Sequence, residues 1–166
     1  MRLEAAIDLL GHVAAFAILS LVLLVSTNVL LRYFFREGSV WSQELEWHLL
    51  APIAMLGVPY ALMKGDYVRV DVLYERFSER ARLLLDIFAA LVGIAVALLL
   101  LKYAIPYVDK SWTNGEGSPD PGGLPARYIL KAILPLGFFV LFLQQLAFAI
   151  LCILRLADPN TDESAT

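Results

Sequence analysis

The length of its apolar runs constrains this chain more than any other feature. From Leu9 to Leu31 only His12 and a few small polar residues interrupt the hydrophobic sequence, and three further long runs follow. A hydrocarbon core roughly 30 Å thick is crossed by about 20 mostly apolar residues in a helix. In lipid, helices and closed barrels alone satisfy every backbone polar group. The spacing therefore predicts an all-α integral membrane protein, a single membrane domain over 1–166, with transmembrane helices over about 9–31, 43–63, 83–102 and 129–154. Composition agrees: 17% of residues are charged, against about 25% in soluble domains.

The first run is longer than the roughly 7–15 apolar residues of a signal peptide. It ends on Arg32-Tyr33-Phe34-Phe35-Arg36, the aromatic and basic pattern of an interface anchor. A retained helix is expected. The second helix has Ser42 as its expected N-cap, with Glu44 and Glu46 in the first turn, where carboxylates suit the helix dipole. Pro52 and Pro59 predict a kink, because each removes a backbone donor.

After Lys64-Gly65-Asp66 the pattern changes. Val70, Leu73, Tyr74, Phe77, Ala81 and Leu84 recur at three-and-four spacing, with Glu75, Arg76, Glu79, Arg80 and Arg82 between them. That is a short amphipathic helix over about 71–82, with Asp71 as a possible N-cap, lying at the membrane interface between helices 2 and 3. The stretch Tyr103–Pro125 reads as the longest polar loop, rich in turn residues such as Asn114-Gly115 and Gly122-Gly123. A polar tail closes the chain over 156–166.

Basic residues set orientation. Lys64, Arg69, Arg76, Arg80 and Arg82 cluster in the connection between helices 2 and 3. This places that connection and both termini in the cytoplasm, and the glycine- and proline-rich loop outside. Trp47, Arg69, Arg76, Arg80, Arg82 and Trp112 are the expected membrane-interface anchors.

The polar residues offer little for catalysis. His12 and His48 would be the axial ligands of a haem, but the topology separates them in depth by roughly 15–20 Å at 1.5 Å per helical residue. One iron cannot bridge that gap. Glu44 and Glu46, two apart, face different sides of a helix. They could form an ion site, since intramembrane acids are functional by default; beside Trp41 and Trp47, they read more simply as anchoring or subunit contact. Gln144 and Gln145 are adjacent, so at least one faces another helix or subunit. Ala89, Ala90, Gly93 and Ala97 allow close helix approach. Cys152 is a lone apolar cysteine. No cofactor, metal site or enzyme activity is expected, and a net charge of −3 points to no nucleic-acid partner.

Two segments carry a resemblance: Val40-Trp41-Ser42-Gln43-Glu44-Leu45-Glu46-Trp47, and Leu62-Met63-Lys64-Gly65-Asp66-Tyr67-Val68-Arg69-Val70-Asp71-Val72-Leu73-Tyr74. They resemble the small membrane subunit (DctQ family) of tripartite ATP-independent periplasmic (TRAP) transporters. Trp41 and Glu44 match a Trp-x-x-Glu element that opens helix 2. Gly65, Val68, Val70 and Asp71 match a Gly-x-His-hydrophobic-x-Val-Asp element, with Tyr67 in place of the usual histidine. Pro121-Gly122-Gly123-Leu124-Pro125 and Leu134-Pro135-Leu136-Gly137-Phe138 resemble the approach to the family's last helix.

The resemblance implies a small permease subunit in the inner membrane, paired with a large membrane subunit. That large subunit takes up an organic acid anion with a sodium gradient and a periplasmic binding protein. Trp41, Glu44, Gly65, Asp71, Gln144 and Gln145 are then the expected structural-motif or subunit-interface residues. The alternative is a self-sufficient small homo-oligomeric transporter with Glu44 or Glu46 as its ion site.

Overall fold

The computed structural model describes residues 2–65 and 77–157. Four helices long and apolar enough to cross a membrane dominate it: α1 (Arg2–Leu30), α2 (Val40–Lys64), α3 (Glu79–Thr113) and α4 (Arg127–Leu156). No strand occurs among the described residues. A π-helical turn, Leu31–Phe35, continues α1 and ends at Arg36 in the left-handed conformation, φ 55°. The Arg-aromatic-Arg segment is thus a widened last turn, with Tyr33, Phe34 and Phe35 all exposed.

The helices are longer than their apolar cores. The expected 83–102 helix is 35 residues long, and the stretch 103–113, expected in the loop, is helical. Pro106 lies inside it. Lys102, Asp109 and Lys110 do not end the helix, because a charged side chain can reach the headgroups while its backbone stays helical.

α2 also starts earlier than expected. Ser39, extended at φ −113° and ψ 130°, holds the N-cap position. Ser42 lies inside the helix, buried, its hydroxyl donating to the Ser39 carbonyl at 3.0 Å. Glu44 and Glu46 consequently lie beyond the first turn, which contains no acid. Gly65 closes α2 at φ 79°, its N–H reaching the carbonyls of the last turn. This is the left-handed position where glycine carries no Cβ penalty.

Of the expected interfacial helix, residues 71–76 lie outside the described residues, as do Arg69, Asp71 and Arg76 and the tail 158–166. Glu79, Arg80 and Arg82 form the first turns of α3 itself, with Ser78 as the N-cap accepting from the Ala81 N–H at 3.4 Å.

The packing forms two antiparallel hairpins. Asp8 meets Lys64 and Asn28 meets Glu46, so α1 and α2 run oppositely. Tyr107 meets Lys131 and Gly93 meets Gln145, so α3 and α4 do the same. α2 and α4 join the hairpins, giving the spatial order α1, α2, α4, α3. They run parallel, since Glu44 lies near Arg127 and Met55 abuts Gly137.

Small side chains make these contacts possible. Lipid tails remove the hydrophobic drive for helix association, leaving close van der Waals packing to hold the bundle. α3 buries Leu83, Ala90, Ala97, Ala104 and Ser111, every seventh residue. A strict seven-residue repeat keeps one stripe on its partner as the helices cross with a left-handed twist. α4 buries Gly137, Val140, Gln144, Ala149 and Cys152 between its two neighbours, α2 and α3. Gly137 approaches α2 so closely that a Cβ there would lie 2.6 Å from Met55 Cβ. The outward faces, including Phe16, Leu23, Phe88 and Leu154, remain exposed.

Candidate functional site

At one end of the bundle the loop 114–126 folds over the start of α2. Its own sequence prepares it for this. Asp120-Pro121-Gly122-Gly123 forms a β-turn, with Gly122 at φ 80° and the Gly123 N–H on the Asp120 carbonyl at 3.0 Å. Proline and glycine supply the two backbone angles of a type II turn. The Ser118 N–H reaches the Leu124 carbonyl at 3.0 Å, and the Arg127 N–H reaches the Glu116 carbonyl at 2.9 Å. Ala126 is left-handed at φ 61°, a strained state for a residue with a Cβ that persists only where its surroundings over-determine it.

Glu44 holds this loop. Its side chain is only 6% exposed. Oε1 accepts from the Ser118 hydroxyl, and Oε2 accepts from the Leu124 N–H at 2.6 Å. The Arg127 guanidinium stands 4.0 Å from Oε1. Gly123 must lack a side chain here, because a Cβ would lie 2.7 Å from Glu44 Oε2. Every acceptor of the buried carboxylate thus faces a donor or a cation, which is what makes a buried charge tolerable.

A second polar pair braces the base of the loop. Lys131 donates to Glu116 Oε2 at 2.5 Å and lies 4.2 Å from the centre of the Tyr107 ring. The ammonium holds the Glu116 carboxyl below the usual carboxylate range. Trp112 meets Tyr128 edge-on at 4.6 Å, closing the α3–α4 end of the loop. Between α1 and α2, Asn28 Nδ2 donates to Glu46 Oε1 at 2.7 Å. The two neighbouring acids therefore serve different partners, one the loop and the other α1.

The other expected residues are dispersed. Trp41 and Trp47 are exposed near the start of α2. Gln144 is buried within the bundle, and Gln145 covers Gly93, where a Cβ would lie 2.7 Å from Gln145 Cδ. Gly65 is at the opposite end of α2 from Glu44. Each histidine donates Nδ1 to the carbonyl four residues before it, His12 to Asp8 and His48 to Glu44, both at 2.7 Å. They sit at opposite ends of the α1–α2 hairpin. Among the described residues no group of three or more His, Cys, Asp or Glu could hold a metal ion.

Sequence reasoning missed Ser118, Leu124, Arg127, Glu116 and Lys131 as partners. The available signal was the pairing of an acid at the start of one span with a Pro-Gly-Gly-Leu-Pro turn just before another.

The arrangement is a structural clamp. The Ser118 hydroxyl on Glu44 fastens the loop to α2. Comparison with known proteins agrees. The chain is 29% identical over 153 residues to the ectoine TRAP transporter small permease protein TeaB of Halomonas elongata, covering 90% of this chain and 73% of that protein. It is 26% identical over 155 residues to the C4-dicarboxylate TRAP transporter small permease protein DctQ of Vibrio cholerae, covering 81% and 67%. It also matches 18% of the length of the sialic acid TRAP transporter permease protein SiaT of Haemophilus influenzae, at 24% identity over 116 residues. Residues 21–155 match the family of tripartite ATP-independent periplasmic transporters, DctQ component, and the chain belongs to that family: it is a TRAP small permease, a multi-pass inner-membrane transport component and not an enzyme.

Proposed function

We propose that this small permease braces a large transport subunit. The large subunit would move an organic acid anion inward with a sodium gradient, and a periplasmic binding protein would deliver the substrate. The observation that carries this reading is the Glu44 clamp, which ties α2 to the loop before α4 and so locks the two hairpins at one end. A rigid, lipid-anchored neighbour is what a moving transport domain needs as a fixed reference. The outward face of α1 supports it: Leu9, Phe16, Leu19, Leu23 and Leu30 are exposed, leaving an apolar surface for a partner or lipid. Similarity to SiaT, of which this chain matches only a small part, is consistent with a larger companion.

In this reading Trp41, Glu44, Gly65, Asp71, Gln144 and Gln145 maintain the scaffold and its subunit contact, and none binds substrate. The termini and the connection between α2 and α3 are cytoplasmic, and the clamp is on the outer side. Affinity purification of the tagged chain from native membranes, followed by mass spectrometry, tests the proposal. A large polytopic partner in near-equal amount is expected. Recovery of the chain alone as a homo-oligomer that catalyses uptake would overturn it.

A further inference from the structure

The end of α1 forms a second polar feature that the clamp does not use. The π-helical turn Leu31–Phe35 and the left-handed Arg36 bring the chain around into Gly38 and Ser39. A cavity of 420 Å³ opens between this turn and the start of α2, lined by Arg32, Arg36, Glu37, Ser39 and Gln43 among others. Neither Arg32 nor Arg36 forms an ion pair with any described residue. A second cavity, 640 Å³, shares Asn28, Arg32 and Gln43 with the first, and its walls include Val25, Val29, Tyr33 and Trp47. Glu46, also on that wall, is engaged by Asn28.

The two cavities adjoin at Asn28, Arg32 and Gln43 and together offer a polar end and a more apolar one, an amphipathic groove. Its polar mouth lies at the helix end, and Tyr33, Phe34, Phe35 and Trp41, close by in the chain, are exposed as an aromatic belt at headgroup level would be. Its apolar arm runs along Val29 and Val25, which lie successively deeper along α1, towards the membrane interior. Two guanidiniums present forked donors that match a phosphate bidentately. A free anion would need only the mouth, whereas the arm fits an acyl chain. We propose that this groove is a phospholipid site, with Arg32 and Arg36 on the lipid phosphate and one acyl chain along Val25, Val29 and Trp47. The bound lipid fills the space between α1 and α2 beside the loop end of the bundle.

The test uses the full chain, tagged and purified in mild detergent with whatever partner accompanies it. Lipid is extracted and quantified per mole of protein, and the delipidated protein is titrated by native mass spectrometry with dioctanoyl phosphatidylglycerol or with glycerol phosphate. Wild type is expected to retain phospholipid and to bind the short-chain lipid, while glycerol phosphate binds at least about tenfold more weakly, a difference in Kd. Arg32→Gln with Arg36→Gln should lower lipid affinity by about tenfold or more, the paired lysine replacements should recover part of it, and Lys110→Gln should change nothing. Val29→Trp fills the apolar arm with both arginines intact and should also release lipid, so the proposal stays testable if the glutamine pair fails to fold. Unchanged lipid retention in either groove variant would overturn the site. Glycerol phosphate binding as tightly as the lipid would overturn the lipid assignment in favour of a free phosphate.

Discussion

The backbone N–H of Leu124 lies 2.6 Å from Glu44 Oε2, a contact between residues 80 positions apart that fastens the last loop to the start of α2. With the Ser118 hydroxyl on the other carboxylate oxygen, one acidic side chain joins the two hairpins. The first three predictions follow from how this end, and the close helix contacts beneath it, are built.

Glu44→Ala removes the acceptor for both donors and leaves Arg127 without its nearest buried carboxylate. The loop 114–126 is expected to become cleavable by added protease under conditions where the wild-type loop resists. Glu46→Ala should leave the loop protected, since its partner is Asn28 on α1. Equal protection of the loop in Glu44→Ala and wild type would refute the clamp.

The helical glycines should rank by the space around them. At Gly137 a Cβ would lie 2.6 Å from Met55 Cβ and 2.9 Å from its carbonyl oxygen. Backbone cannot move aside cheaply, so Gly137→Ala should destabilise by about 1–3 kcal/mol, the range for overpacking. Gly93→Ala meets only the end of the Gln145 side chain, which can rotate away, and should cost less. Gly57 has open space around it, so Gly57→Ala should be neutral or stabilising by up to about 1 kcal/mol through helix propensity. Thermal melts of the purified variants check the order.

The seven-residue stripe on α3 predicts a periodic sensitivity. Leucine at Ala90, Ala97 or Ala104 overfills the seam with α4 and should cost about 1–3 kcal/mol each. Leucine at Ala89 lies outside the stripe and should be tolerated. A melting scan along α3 that shows no seven-residue period would contradict the packing.

The Glu116–Lys131 contact makes the base of the loop acid-sensitive. The Glu116 carboxyl is held below its ordinary range by the Lys131 ammonium. Its contribution to stability is therefore complete above the ordinary glutamate pKa and is lost as pH falls through the lowered folded value. Fluorescence of Trp112, which packs on Tyr128 beside this pair, should change over that acid window in wild type. The change should be smaller in Glu116→Gln, which has no such proton to gain.

Asp8 and Lys64 provide a contrast at the opposite end. Their side chains meet at 2.8 Å but are 39% and 43% exposed, where water and salt screen the attraction. Asp8→Asn should shift the melting temperature much less than Glu44→Gln.

The number, order and approximate positions of the spans were legible in the sequence, because an apolar run of sufficient length has no stable state in water or lipid other than a membrane helix. The Trp-x-x-Glu and Gly-x-x-hydrophobic-x-Val-Asp elements carried the family resemblance. Helix ends were less legible. Thr113 ends α3 well past Lys102, because charged and aromatic residues near headgroups do not oblige the backbone to stop. The seven-residue burial on α3 was present in the sequence but hidden, since Ala90, Ala97 and Ala104 are surrounded by residues equally suited to lipid.

What the sequence by itself determined is therefore local: which segments span, where glycine can close a helix or turn, and that Glu44 and Glu46 lie near the start of α2. Tertiary structure alone decided which partner each acid receives. Glu44 takes Ser118 and Leu124 while Glu46 takes Asn28, and that division depends on the rotation of α2 about its axis and on which hairpin lies on each side. The physical reason is that hydrophobicity fixes depth in a membrane but not facing, because lipid and a neighbouring helix are similarly apolar. Facing is set by close contacts such as Gly137 on Met55 and by a few buried hydrogen bonds, whose partners are far apart in the chain and meet only in the folded bundle.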